Sequence, residues 1–161
     1  MSIIFSGDEL LNIAISIERR GMTFYDIMAK STDNEVARAV FEALVNMERG
    51  HINIFEDMMD EIDSSHTSES PSPELSGYVQ ALIDDAVFTD DMITSEMATQ
   101  ADSDIKALEL AISAEKDSIL FYYEMKDLMP KQTVAVIERV ILEEKSHLQQ
   151  LTEVKKRLQT N

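Results

Sequence analysis

The feature that most constrains this chain is an internal repeat. Ala14, Ile15, Ser16 and Glu18 recur as Ala111, Ile112, Ser113 and Glu115, and Phe24, Tyr25 and Met28 recur as Phe121, Tyr122 and Met125, at an offset of 97 residues. A second pair of segments matches at an offset of 96, setting Glu48 against Glu144 and His51 against His147. The chain is two copies of one supersecondary unit, and repeated units of this kind bury their apolar faces against each other.

Each unit reads as two amphipathic helices, because its apolar residues step by alternate threes and fours and so share one helix face. The first unit has the seams Leu11, Ala14, Glu18, Gly21, Tyr25, Met28 and Phe41, Leu44, Glu48, His51, Phe55, Met58. The second has Leu108, Ala111, Glu115, Ser118, Tyr122, Met125 and Ile137, Val140, Glu144, His147, Leu151, Val154, Leu158. Helices are expected over about 6–30, 33–62, 103–128 and 130–158. Ser6-Gly7-Asp8-Glu9 supplies a capping box for the first, and Thr32-Asp33-Asn34-Glu35 a second box for the next. Pro130 suits the first turn of the fourth.

The short connections within each unit predict antiparallel helical hairpins. Between them lies a crossover, 63–102, opening with the low-complexity run SSHTSESPSPELS, which is expected to be exposed. A short helix is expected over Leu75 to Phe88, and a weaker one over Asp90 to Thr99. The predicted fold is all-α: a single domain over 1–161, a four-helix bundle of two antiparallel hairpins joined by one long crossover, which is ferritin-like connectivity. Only 4 glycines and 3 prolines among 161 residues agree with long helices rather than a turn-rich β fold.

Composition removes several function classes. There is no cysteine, hence no disulfide, thiolate nucleophile or Cys-ligated metal site in these residues. The formal net charge of −17 gives no electrostatic footprint for nucleic acid or an anionic membrane. No apolar run approaches the roughly 20 residues that span a bilayer, and MSIIFSGDELL lacks the basic start of a secretory signal. A cytoplasmic location is the expectation.

The chemistry lies in the polar members of the seams. Residues three apart lie one turn on along the same helix face, so Glu48 with His51, and Glu144 with His147, can each point at one centre. Glu18 and Glu115 occupy the middle of the partner seams. A single Glu-x-x-His is ordinarily a surface pair stabilising its helix by a few tenths of a kcal/mol. Here it occurs twice, in register, with a seam Glu upstream each time. Four carboxylates and two imidazoles would converge in the core, where like charges cannot all remain ionised without cations. Two divalent metals resolve this.

The set matches the pattern of di-iron and di-manganese carboxylate bundles, a Glu from each of two helices and Glu-x-x-His from each of the other two. By that pattern Glu48 and Glu144 bridge, while Glu18 with His51, and Glu115 with His147, are terminal ligands of one metal each. Ala14, Gly21, Ala111 and Ser118 leave room beside them.

Glu143 also stands four residues before His147. It lies off the seam and its counterpart is Met47, which favours Glu144 as the ligand. Tyr25 and Tyr122, seven residues after Glu18 and Glu115, are either hydrogen-bond partners of the ligand carboxylates or amphipathic core residues. His66 reads as a solvated loop residue, and the 10 methionines as gap-filling core. No His-Glu-x-x-His is present.

The stretches ALVNMERGHINIF and RVILEEKSHLQQL, with AISIERRGMTFY and AISAEKDSILFYYEM, resemble the rubrerythrin branch of the ferritin-like superfamily. The resemblance covers nearly the whole chain apart from the crossover. It implies a non-haem di-iron centre that reacts with hydrogen peroxide or dioxygen, commonly in homodimers. With no cysteine for a rubredoxin-type iron site, electrons would come from an external donor such as a rubredoxin-like protein. The family's additional Glu one turn before the third-helix ligand is replaced by Ile112, leaving a symmetric six-ligand set closer to that of bacterioferritin.

The expected function is therefore a di-iron oxidoreductase of the peroxidase type, with two iron ions per bundle, manganese being equally compatible with the ligands, and no catalytic residue beyond the metal centre. Two alternatives stand beside it: a ferroxidase serving iron storage or transport, and a metal-free helical interaction module.

Overall fold

Each long helix starts where a short polar side chain takes up a backbone N–H that the helix leaves unpaired. The computed structural model describes residues 5–62, 73–84 and 103–160. In α1 (Gly7–Ser31), Ser6 Oγ accepts from the Glu9 N–H at 3.2 Å, and Glu9 Oε2 accepts from the Ser6 N–H at 2.7 Å, forming the expected box. In α2 (Glu35–Glu61) the cap falls two residues later than expected. Asn34 Oδ1 accepts from the Ala37 N–H at 3.0 Å, so Asn34 rather than Thr32 is the N-cap. Thr32 instead closes α1, its N–H donating to the Met28 carbonyl. One helix must be ended before the next begins, which leaves only the last linker residue to serve as the new cap.

The short helix expected over Leu75 to Phe88 is found as α3 (Pro73–Asp84), with 85–88 outside the described residues. α4 (Asp104–Leu128) is capped by Ser103, whose Oγ accepts from the Lys106 N–H at 3.1 Å. Pro130 does not lie in the first turn of the last helix. With φ −54° and ψ 144° it is extended, and its carbonyl accepts from both N–H and Oγ1 of Thr133 across a single 3-10 turn, Lys131–Thr133. The proline ring restricts φ but leaves ψ free to turn outward. α5 (Val134–Thr160) follows directly. His66, the Ser-rich run as far as 72 and the helix expected over Asp90–Thr99 lie outside the described residues.

The apolar seams form two clusters, one toward each end of the bundle. Leu10, Leu11, Ile15, Ile52, Phe55, Phe121, Tyr122, Met125, Ile137, Val140 and Ile141 belong to the first. Phe24, Tyr25, Met28, Phe41, Leu44, Leu108, Ala111, Leu151 and Val154 belong to the second. Chain direction follows from these memberships. α1 and α5 run from the first cluster to the second, and α2 and α4 run back. Thus α1–α2 and α4–α5 are antiparallel hairpins, packed through α1 against α4 and α2 against α5.

Because α2 and α4 point the same way, the chain must travel the length of the bundle between them, about 38 Å for a 25-residue helix. That is the physical reason for the long crossover. Its helix α3 packs on α4 and contributes the buried Val79 to the first cluster. The fold is a ferritin-like four-helix bundle. No described helix is long and apolar enough to cross a membrane.

Replacing Asn34 by Ala should lower the free energy of unfolding by about 1 kcal/mol in denaturant titrations, the usual worth of such a cap. A loss that large from Glu35→Ala, with none from Asn34→Ala, would restore the box at Thr32.

Candidate metal centre

The layer between the two apolar clusters is polar. α1 carries Glu18 into it, α2 carries Glu48 and His51, α4 Glu115, and α5 Glu144 and His147; none is more than 4% exposed. All six residues singled out in the sequence are brought together. They form two overlapping groups, Glu18, Glu48, His51, Glu144 and Glu48, Glu115, Glu144, His147, in each of which one candidate donor atom per residue lies within 4.8 Å of the others. Glu48 and Glu144 belong to both groups, the position required of carboxylates that bridge two cations.

Distances follow the same division. His51 Nδ1 stands 3.0 Å from Glu144 Oε1, 3.4 Å from Glu18 Oε2 and 3.6 Å from Glu48 Oε2. His147 Nδ1 stands 3.1 Å from Glu144 Oε2, 3.5 Å from Glu48 Oε1 and 3.7 Å from Glu115 Oε2. The two imidazoles stack with ring centroids 5.6 Å apart. The tyrosines cross between hairpins: Tyr25 of α1 donates to Glu115 of α4, and Tyr122 of α4 donates to Glu18 of α1. Each terminal carboxylate is thus oriented by a hydroxyl from the opposite unit.

Ser118, beside the centre, donates its hydroxyl to the Ala114 carbonyl of its own helix at 3.1 Å and keeps clear of the carboxylates. Ile112 is partly buried against the second apolar cluster. Glu143 has a role that its spacing to His147 did not suggest: its Oε2 lies 2.8 Å from Nε2 of His51, on the other hairpin. Its side chain is 47% exposed, which explains why the helix seam gave no signal of it.

Among the described residues, three buried atoms lack any hydrogen-bond partner: Glu18 Oε2, His51 Nδ1 and Glu144 Oε1. All three belong to one of the two groups of donors. The 3.0 Å approach of His51 Nδ1 to Glu144 Oε1 is therefore a close contact without hydrogen-bond alignment. Buried polar atoms left unpaired are costly. A cation between them satisfies all three at once, so the residues present fit a metal. Oxygen and imidazole donors without thiolate suit iron or manganese.

The charges of the metal-free cluster point the same way. Burial, then the neighbouring Glu18 charge, pushes Glu48 well above the carboxylate range; burial and the charges of Glu48, Glu18 and Glu115 do the same to Glu144. Burial opposes ionisation of Glu18 too, but Glu48 and His51 outweigh it and bring that carboxyl down to about 2. For His147, burial pushes the imidazole down, while Glu115, Glu144 and Glu48 carry it up to about 12. His51 is likewise raised by Glu144, Glu18 and Glu48 against the opposing effect of burial. Burial, followed by the charge of Glu115 or Glu18, raises the hydroxyls of Tyr25 and Tyr122 and keeps them as donors.

Glu48, Glu144 and both histidines thus bind protons more tightly in the folded chain than in the unfolded one. Their stabilisation is complete below the ordinary values of 4.5 and 6.5 and is lost as pH rises through the raised ones. Glu18 works oppositely, its contribution being lost as pH falls through about 2. After chelation, the melting temperature should fall between about pH 6 and pH 9, and metal addition should reverse that slope because cations replace the protons. A metal-free protein that became more stable over that interval would contradict this charge assignment.

The rubrerythrin family model matches residues 9–155. No curated protein matches the chain. Among solved structures, one from Thermotoga maritima, for which a ferritin-like diiron-carboxylate identity has been put forward, is similar with a TM-score of 0.74 and 28% identity, over 95% of this chain and 96% of that one. Taken with the four-helix connectivity and the paired Glu-x-x-His motifs, the match over residues 9–155 places the chain in the rubrerythrin family.

Proposed function

We propose that this protein is a non-haem di-iron oxidoreductase in which Glu18, Glu48, His51, Glu115, Glu144 and His147 hold two iron ions that are oxidised by hydrogen peroxide or dioxygen. The observation that carries this reading is the pair of overlapping donor groups sharing Glu48 and Glu144. A bound iron pair supplies two one-electron reductants side by side, matching the two electrons that peroxide accepts. The chain's own part is to neutralise and space the two cations, to orient Glu18 and Glu115 through Tyr122 and Tyr25, and to keep bulk water away with apolar clusters on either side.

The lining of two neighbouring cavities supports a route for a small oxidant as part of this proposal. A cavity of about 210 Å³ lies between α1, α3 and α4, lined by Ile13, Ile17, Leu82, Ile83 and Phe121 among others. It shares Ile17, Ala114 and Ser118 with a cleft of about 10 Å³ that reaches Glu18, Glu48 and Glu115. Asn12, Ser16, Arg20 and Asp117 line the same cavity, so its wall is mixed, and the shared residues Ile17, Ala114 and Ser118 are where a small oxidant would pass.

Reduction of the oxidised pair then draws on an electron donor outside these residues, which contain no cysteine for a rubredoxin-type iron site. The same proposal extends to a homodimer and to a cytoplasmic peroxide-scavenging role. A ferroxidase reading is favoured by one observation: Ile112 packs among apolar side chains and adds no seventh ligand, leaving the symmetric donor set. A metal-free interaction module would leave the three unpaired buried atoms uncompensated. Manganese satisfies the same donors, and metal analysis of protein from its native host decides between the two ions.

Anaerobic Fe(II) titration should show two ions per chain, with one peroxide consumed for each pair oxidised. Glu48→Ala or Glu144→Ala should abolish paired binding; two metals retained in either variant would sink the bridging assignment. Ala114→Leu should slow oxidation by peroxide about tenfold, roughly 1.4 kcal/mol of barrier, with two ions still bound. An unchanged rate would exclude this route. Light scattering separates a dimer from the large assembly that iron storage demands.

A further inference from the structure

The two metal positions differ although their six ligands are symmetric. On one side, Nε2 of His51 is hydrogen-bonded to Glu143 Oε2 at 2.8 Å, and its Nδ1 has no hydrogen-bond partner. On the other, Nδ1 of His147 is already hydrogen-bonded to Glu144 Oε2 at 3.1 Å. The residue equivalent to Glu143 in the first unit is Met47, whose thioether is a poor acceptor. Among the described residues no carboxylate stands against Nε2 of His147. A ligating histidine whose other ring nitrogen donates to a carboxylate is fixed in tautomer and orientation and is a stronger donor to the metal. Among the described residues only His51 has that support.

We propose that Glu143 is a positioning residue that makes the two sites unequal, so that the first metal enters the Glu18–His51 position and the second binds more weakly beside Glu115 and His147. By accepting the Nε2–H of His51, Glu143 keeps that proton in place and holds Nδ1 toward Glu18, Glu48 and Glu144, so that an entering metal displaces only the proton on Nδ1. At His147 an entering metal must first displace the hydrogen bond to Glu144. Glu143 reaches the centre from a half-exposed position, with Arg139 Nε 4.0 Å from its other oxygen, so its support of His51 is open to solvent on one side.

This inference rests on the two-metal reading, and Co(II), a redox-inert probe with a coordination-sensitive visible spectrum, tests the two separately. Calorimetric and spectroscopic titration of the chelated protein should give two resolved steps. Glu143→Ala should weaken the first about 10- to 100-fold and leave the second unchanged. Glu143→Gln, whose amide oxygen still accepts from Nε2, should recover most of that loss together with the spectrum of the first equivalent. Met47→Glu should strengthen the second step. The effect of Glu143→Ala should persist in a His147→Ala background and vanish in His51→Ala. Equal weakening of both steps, no weakening, or the same effect in both histidine backgrounds overturns the proposal while two-metal binding stands. Failure of the unsubstituted protein to bind two Co(II) ions overturns the two-metal reading itself, and this inference with it.

Discussion

Four carboxylates and two imidazoles are buried in one layer of this bundle, and the rest of the structure is organised around that concentration of charge. In water each group would be solvated; between two apolar clusters each must find a partner of opposite sign or give up its charge. The metal-free cluster meets this partly with protons, held by Glu48, Glu144 and the two histidines, and partly with the hydroxyls of Tyr25 and Tyr122. Glu18 Oε2, His51 Nδ1 and Glu144 Oε1 remain unpaired even so. Cations in such a layer would replace these protons and satisfy these atoms, which would couple metal binding to folding.

The surrounding architecture serves the same layer. Hairpin geometry alone brings only half of these six residues together: Glu18 with Glu48 and His51 in one unit, Glu115 with Glu144 and His147 in the other. Packing α1 against α4 and α2 against α5 joins the halves, and the crossed tyrosines tie each unit's terminal carboxylate to the other unit. The apolar clusters at either end hold the four helices in register and lower the local dielectric, which strengthens the field of the carboxylates on any cation. Symmetry is broken away from the ligands, at Glu143 opposite Met47 and where α3 covers one side of α4. These are the places where the two copies of the unit differ.

Much of this was legible in the sequence because helical periodicity is a local property. A residue in the middle of a seam faces the core whatever the partner helix is, so the burial of Glu18, Glu48, His51, Glu115, Glu144 and His147 could be anticipated from spacing alone. Contacts between helices were less legible. Spacing related Glu143 to His147, four residues on, whereas the structure sets it against His51 on another hairpin. The tyrosines had been matched to carboxylates only by type, and their partners lie across the bundle. Local competition for linker residues moved the second helix cap from Thr32 to Asn34 and took Pro130 out of the first turn of α5.

What the sequence by itself determined is the set of helices, the identity of the residues they carry inward and the duplication that pairs them, because each follows from a 3.6-residue period and from the cost of burying charge. What only the tertiary structure decided is which atoms meet. The crossing of Tyr25 and Tyr122, the sharing of Glu48 and Glu144 between two donor groups, and the support of His51 by a half-exposed Glu143 depend on how two hairpins dock. That docking is set by packing between residues about a hundred positions apart, for which a single sequence has no period to read.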